Sequence, residues 1–362
     1  MSIINLIRRY RYDRADFRLQ LGMVINRYRV NIIKFFCSIV SSINNSFFTF
    51  HFRPINSEDY NLWSDPVYST PLMALVMQGP LKKENNFTLE SIRIYKKIFP
   101  NTHIIVSTWE DEKEKYIEQI KEEGVFVVLN KKPLVSGFGN VNFQIISTIN
   151  GLYKAKELGV EYVYKTRCDQ RINGINLNEY FVNLLNYFPS AGGFKQKKRI
   201  IASSYISLKF VPYLLTDMFQ FGNVDDMINY WSCELDSRSK SNRLIKSIRD
   251  LLDVKMSEVL LCSSYLEKIG RKNKWTIEDS WHAFADHFLI VDRHIIDQFF
   301  YKYDYYNEFG GHIYRNITNN QYITFLDWFN LYTNFSNKKN NKLESVIDLP
   351  TRSTIINKNY EY

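Results

Sequence analysis

Residues 161–172 read EYVYKTRCDQRI. The aromatic and β-branched run predicts a buried strand, and it stops where Lys165, Arg167 and Asp169 gather. In an open α/β sheet, ligands bind in the crevice beyond the carboxyl ends of the strands. Two cations beside one carboxylate there suit a phosphorylated ligand, with or without a metal. The competing reading is a surface ion pair that closes a strand.

The segments upstream repeat one pattern. LMALVMQGP, residues 72–80, is a continuous apolar run ended by Gln78, Gly79 and Pro80, which predicts a strand buried on both faces. TLESIRIYKKIF, residues 88–99, has helical periodicity, with Thr88 as N-cap and Pro100 as the stop. HIIVSTWED, residues 103–111, predicts a second strand ending at Trp109, Glu110 and Asp111, and a charged helix follows to Glu123. VFVVLN, residues 125–130, is a third strand. After a loop over 131–142, NFQIISTINGLYKAKEL (142–158) predicts a helix closed by Gly159. Strand and helix alternating in this way predict an α/β fold with a parallel sheet covered on both faces. Right-handed crossovers bring the loops at Gln78, Glu110, Asn140 to Gln144 and Arg167 to Asp169 to one edge.

Beyond Ile172 the patterns weaken. A helix is expected over 177–188, a strand within IIASSYISLKFV, and a strand end, glycine turn and helix within DMFQFGNVDDMINYW. Residues 257–270 predict a helix with Glu258 in its first turn. HFLIVD and YITFLDWF are strand or buried-helix candidates. The expected domains are a basic helical extension (1–55), a linker (56–70), a body of 71–333 divided at residue 172, and a polar tail (334–362). Residues 236–250 predict a polar, basic loop or helix.

The chain of 362 residues is 45% hydrophobic, enough for a sizeable core. Its formal net charge is +9, and residues 1–55 hold nine basic against two acidic residues, so nearly all the excess lies in the leader. A basic, aromatic leader suits an anionic membrane surface better than a groove that reads nucleic acid. The alternative is a helical extension packed on the body or on a second copy. No uninterrupted apolar run of about 18 residues predicts a spanning helix. The four scattered cysteines predict free thiols in a reducing cytosol. There is no nucleotide-triphosphatase phosphate loop, no serine-hydrolase elbow, and no zinc helix, because His282 and His287 are five residues apart.

QGP after the first strand, STWE after the second, NVNFQIISTINGL, YVYKTRCDQ, and FQFG before an acidic helix start together resemble the WavE lipopolysaccharide synthesis family, from about Leu72 to about Asp292. The resemblance implies a bacterial glycosyltransferase with a GT-A-like, Rossmann-type sheet. Such an enzyme uses a nucleotide-diphospho-sugar donor to build lipopolysaccharide core or capsular saccharides. It implies that Gln78 and Gly79 lie against the nucleotide and that Glu110 meets ribose or base. Many GT-A enzymes hold Mg²⁺ or Mn²⁺ between two carboxylates spaced DxD. Here Arg167 replaces the first acid and Asp169 stands alone, so Arg167 and a metal are alternative sources of positive charge.

Lys165, Arg167 and Asp169 form the expected diphosphate and catalytic cluster, with Asp169 the one metal-ligand candidate. Asn140, Asn142 and Gln144 open a helix toward the crevice, where N–H groups and amides meet phosphate or sugar; for Asn142 the alternative is an N-cap. Asp217 and Glu258 are the candidate proton acceptors, with helix-dipole or capping roles as alternatives. The expected location is cytoplasmic, peripheral on the inner membrane, with a lipid-linked saccharide as acceptor. The competing functions are a non-catalytic sugar- or nucleotide-binding subunit and a phosphosugar transferase.

Overall fold

The computed structural model describes residues 30–43, 53–64, 71–238, 252–302 and 322–335. The chain parts into two compact units, residues 1–54 and 55–362. In the first, residues 30–43 form helix α1, which leaves Ile32, Phe35, Phe36, Ile39 and Ile43 exposed. No helix among the described residues is long and apolar enough to cross a membrane. Most of the leader and of the polar tail lies outside the described residues.

In the second unit, β1 (Met73–Gln78) is buried at every position because it lies between two parallel neighbours, β2 (Thr102–Trp109) and β4 (Tyr162–Arg167). β3 (Phe126–Asn130) adds in parallel outside β2. The crossovers are α2 (Phe87–Ile98), α3 (Glu114–Glu122) and α4 (Val141–Glu157). α4 approaches the sheet closely at Gly151, where an added Cβ would stand 2.5 Å from Val76 Cγ1. The α/β fold expected from the sequence is therefore present, with a mostly parallel sheet among the described residues.

The second half completes that sheet. α5 (Leu177–Tyr187) is followed by β6 (Ile200–Ser203) and β7 (Gln220–Asn223), then α6 (Val224–Trp231), α7 (Ser257–Lys268), α8 (Ile277–His287) and β8 (Phe288–Val291). The order is β3-β2-β1-β4-β7-β6-β8, with β7 antiparallel to β4 and β6 and β8 parallel to β6. A small antiparallel pair, β5 (Gln170–Ile172) with β9 (Gln298–Phe300), stands apart, and α9 (Phe325–Phe335) packs on α8.

Several local expectations are corrected. Gly222 lies inside β7 rather than in a turn, and the chain passes directly into α6, capped by Asn223, whose Oδ1 accepts from the Asp225 N–H at 3.1 Å. IIASSYISLKFV stays a strand only to Ser203. The buried chain beyond bends through positive φ at Ile206 and Tyr213. There, side chains satisfy the backbone where a ladder would have: the Thr216 N–H donates to Ser207 Oγ and the Tyr213 N–H to Ser280 Oγ. Thr88 is not the cap of α2. Asn86 precedes that helix, while Thr88 Oγ1 accepts from the Lys82 N–H and donates to the Cys168 carbonyl, both at 2.8 Å, tying the β1 loop to the β4–β5 link.

Candidate functional site

Alternation along β4 separates its side chains. Tyr164 faces an aromatic cluster, with Phe221 at 4.6 Å and Phe99 at 5.0 Å between ring centroids. Lys165, one residue on, faces the other way and lies over the Trp231 ring of α6 at 4.5 Å. Arg167 shares the face of Lys165, two residues further, at the strand's carboxyl end.

A cavity of about 520 Å³ opens there. Gln78, Gly79 and Pro80 line it after β1, Trp109 after β2, Asn140 and Gln144 at the start of α4, and Arg167 at the end of β4. Asp217, Met218, Ser257 and Glu258 close it from the second half, and Phe300 and Lys302 come from the end of β9 and just beyond. Gln78 is buried, with its Oε1 accepting from Ser147 Oγ at 2.8 Å, so α4 fixes its orientation.

Three ionisable groups sit together beneath and beside this cavity. Lys165 is fully buried and donates through Nζ to the Asp217 carbonyl. Burial pushes its ammonium down to about 7, against the opposing pull of Asp217. The Asp217 side chain is buried, and its Oδ2 has no partner among the described residues. Glu258, half-buried in the first turn of α7, has a sealed Oε2 that also lacks a partner among the described residues. Burial first, and then the charge of Asp217, push its carboxyl up to about 8. A helix N-terminus favours the ionised form, but the loss of water around the carboxyl outweighs it. The arrangement can hold a proton at Glu258 near neutral pH and release it to the cavity as pH rises.

The structure distributes the sequence candidates unevenly. Gln78, Gly79, Arg167, Asp217 and Glu258 line the cavity. Lys165 lies behind its wall rather than at an open strand end, because Trp231 and the Asp217 backbone enclose it. Asp169 does not line the cavity: both its oxygens take the Arg167 guanidinium, at 2.9 and 3.2 Å, while that guanidinium stacks on Phe300. Glu110 is exposed outside the cavity, its N–H donating to the Asn130 carbonyl. Asn142 is buried within the first turn of α4, where its side chain binds the backbone of Asp236 and Val135 and does not cap the helix.

These residues make a poor cradle for a divalent ion at the β4 end. The lone acid of the RCD sequence is already held by Arg167, and no cluster of three His, Cys, Asp or Glu side chains able to hold a metal occurs among the described residues. Sequence reasoning missed Trp109, Phe300 and Lys302 as cavity residues. Trp109 was legible as a strand-end aromatic, whereas Phe300 and Lys302 reach the site through the β5–β9 pairing, which leaves no local signal.

No curated protein matches the chain. Among solved structures, it is similar to a cytidylyltransferase from Leptospira borgpetersenii serovar Hardjo-bovis (strain JB197), at 14% identity and a TM-score of 0.30, over 59% of this chain and 86% of that one. It is also similar to the glucosyl-3-phosphoglycerate synthase of Mycobacterium tuberculosis in complex with Mn²⁺, uridine diphosphate and glucosyl-3-phosphoglycerate, at 13% identity and a TM-score of 0.30, over 59% and 88%. A third is the mannose-1-phosphate geranyltransferase of Thermus thermophilus, at 12% identity and a TM-score of 0.28, over 54% and 68%. The family model described as WavE lipopolysaccharide synthesis matches residues 73–359. The chain thus belongs to the WavE lipopolysaccharide synthesis family.

Proposed function

We propose that the protein is a GT-A-like glycosyltransferase that moves a sugar from a nucleotide-diphospho-sugar donor to a lipid-linked or nascent saccharide during lipopolysaccharide or capsule synthesis. One observation carries the reading: Arg167 and two carboxyl side chains, Asp217 and Glu258, each with one sealed oxygen that lacks a partner among the described residues, line one cavity at the carboxyl ends of parallel strands. In transfer, the bond from the anomeric carbon to the diphosphate oxygen breaks, and its electron pair leaves with the diphosphate. A new bond forms to an acceptor hydroxyl, whose proton must go to a base.

Arg167 supplies positive charge toward the departing diphosphate, and Asp169 holds its guanidinium in orientation. Glu258, once ionised, takes the acceptor proton. Burial first, and then like-charge repulsion from Asp217, keep that carboxyl basic. Lys165, behind the wall, holds the Asp217 backbone through its Nζ.

The acceptor explains the leader. Basic residues draw the chain to anionic lipid, and the exposed Phe35 and Phe36 of α1 enter the interface, giving a cytoplasmic, peripheral location.

The test is release of nucleoside diphosphate from a panel of nucleotide sugars, with thermal shift as the binding readout. Arg167→Lys is expected to raise the donor KM about tenfold or more, since a point charge cannot reproduce forked phosphate contacts. If no nucleotide sugar is bound or turned over, the proposal fails; binding without turnover selects a non-catalytic subunit.

A further inference from the structure

We infer that the Asp236–Arg238 pair is a positioning device for the transfer reaction, which fastens the entry of α7, and with it Glu258, onto the wall of the cavity. This deepens the preceding reading, because it takes Glu258 as the proton acceptor.

The pair joins three segments that are far apart in sequence. Asp236, whose side chain is only 6% exposed, accepts the Phe138 N–H at 2.9 Å. Its backbone N–H donates to Asn142 Oδ1 at 2.7 Å, and its carbonyl accepts from Asn142 Nδ2 at 2.8 Å, so it is locked to the start of α4. Its carboxylate receives Arg238 Nε at 2.7 Å and Nη2 at 2.8 Å.

The same guanidinium reaches forward to the Val254 carbonyl and, at 3.3 Å, to the Lys255 carbonyl, while lying over the Phe138 ring at 5.6 Å. Lys255 has φ of +46°, a conformation a lysine keeps only when its surroundings impose it. Two residues later α7 begins, with no side-chain cap of its own. From the other side, Gly139 packs so closely on this entry that an added Cβ would stand 2.7 Å from Ser257 Oγ.

The start of α7 is therefore held externally at each contact, and Glu258 occupies its first turn. An acid in the first turn of an uncapped helix normally swings to water, where the helix N-terminus keeps it ionised. Here the fastening keeps it half-buried against Asp217 at the cavity wall. The titratable and charged groups that interact with Glu258 are Asp217, Lys165 and Arg167, together with Tyr230 of α6. Asp236 is held ionised, since Arg238 and the donated N–H groups outweigh its burial.

The experiment uses the full-length protein carrying ¹³Cδ-labelled glutamate. Glu258 is titrated directly in the ligand-free state, with Glu258→Gln identifying its resonance, and steady-state kinetics are run in parallel. In Arg238→Gln, Glu258 is expected to titrate at least about one pH unit lower, because water reaches the loosened turn. The same variant should lose about tenfold in kcat while the donor KM stays within about twofold. Arg238→Lys, which restores one donor, should fall between. Gly139→Ala should move the titration in the same direction. A Glu258 titration unchanged in Arg238→Gln, with lowered thermal stability alone, overturns the inference and makes the pair merely structural. Full activity of Glu258→Gln defeats the proton-acceptor reading and, with it, the link to transfer, whatever the titration shows.

Discussion

Glu258→Gln separates catalysis from stability at one residue. A carboxyl raised from its ordinary 4.5 to about 8 stays protonated in the folded chain over a range where the unfolded chain has lost its proton. The folded state then binds more protons between those values, so its stability falls as pH rises through that window. Integrated from about pH 6 to about pH 9, the loss is about 3 kcal/mol, or roughly 5 °C in Tm for a domain of this size. Lys165 acts with the opposite sign: its folded value is depressed toward about 7, so it favours the folded state increasingly as pH climbs above that. The informative quantity is thus the difference in Tm between wild type and Glu258→Gln, which cancels most of the Lys165 contribution. That difference should grow by roughly 5 °C in favour of the variant over this range.

Activity should move the other way. In wild type, kcat/KM rises with pH up to about 8 as Glu258 ionises. In the variant it should be lower by about 10²–10⁴-fold, without that rising limb. Scanning calorimetry and nucleoside-diphosphate release across the pH series supply both measurements. A wild-type rate independent of pH from about 6 to about 9, or a variant within about threefold of wild type, refutes the assignment.

Two further outcomes test other parts of the molecule. Phe35→Ser with Phe36→Ser removes two rings that are 63% and 59% exposed on α1, and should weaken cosedimentation with anionic vesicles severalfold while transfer to a soluble acceptor persists; unchanged vesicle binding removes the membrane proposal. Arg271→Met breaks a buried pair in which Arg271 binds both oxygens of Asp279, and should cost about 3–5 kcal/mol by urea unfolding. In wild type, Arg271 and Tyr213 outweigh burial and hold the Asp279 carboxyl at about 2, so its contribution is present above about pH 4 and lost only as pH falls through about 2. The variant should therefore unfold at a higher pH on acidification, and an unmoved acid transition refutes this.

The legible part of the chain was the part built from local pattern. β1 to β4 and their crossover helices follow from apolar runs of strand length, helical spacing and glycine or proline stops, all within a few residues of one another. The residues lining the cavity after β1, and Arg167 at the end of β4, follow from the same pattern, because a parallel sheet must present its loops at one edge. Past Ile172 this reasoning weakens. The buried chain from Ser204 to Phe219 is as apolar as a strand, yet serine and threonine side chains satisfy its backbone, and hydrophobicity carries no trace of that.

Sequence alone determined the α/β class, the edge of the sheet where the strand-end loops and the cavity lie, and the types of charged group available there. The tertiary structure decided which charges face the cavity. It set Trp231 over Lys165, turned Asp169 onto Arg167, left Glu110 in solvent, gave Asn142 to Asp236, and brought Asp217 and Glu258 to one wall. The physical reason is that alternation along a strand depends on neighbouring residues alone, whereas the ionisation of a buried carboxyl depends on every group packed around it, and those groups come from segments scattered along the chain.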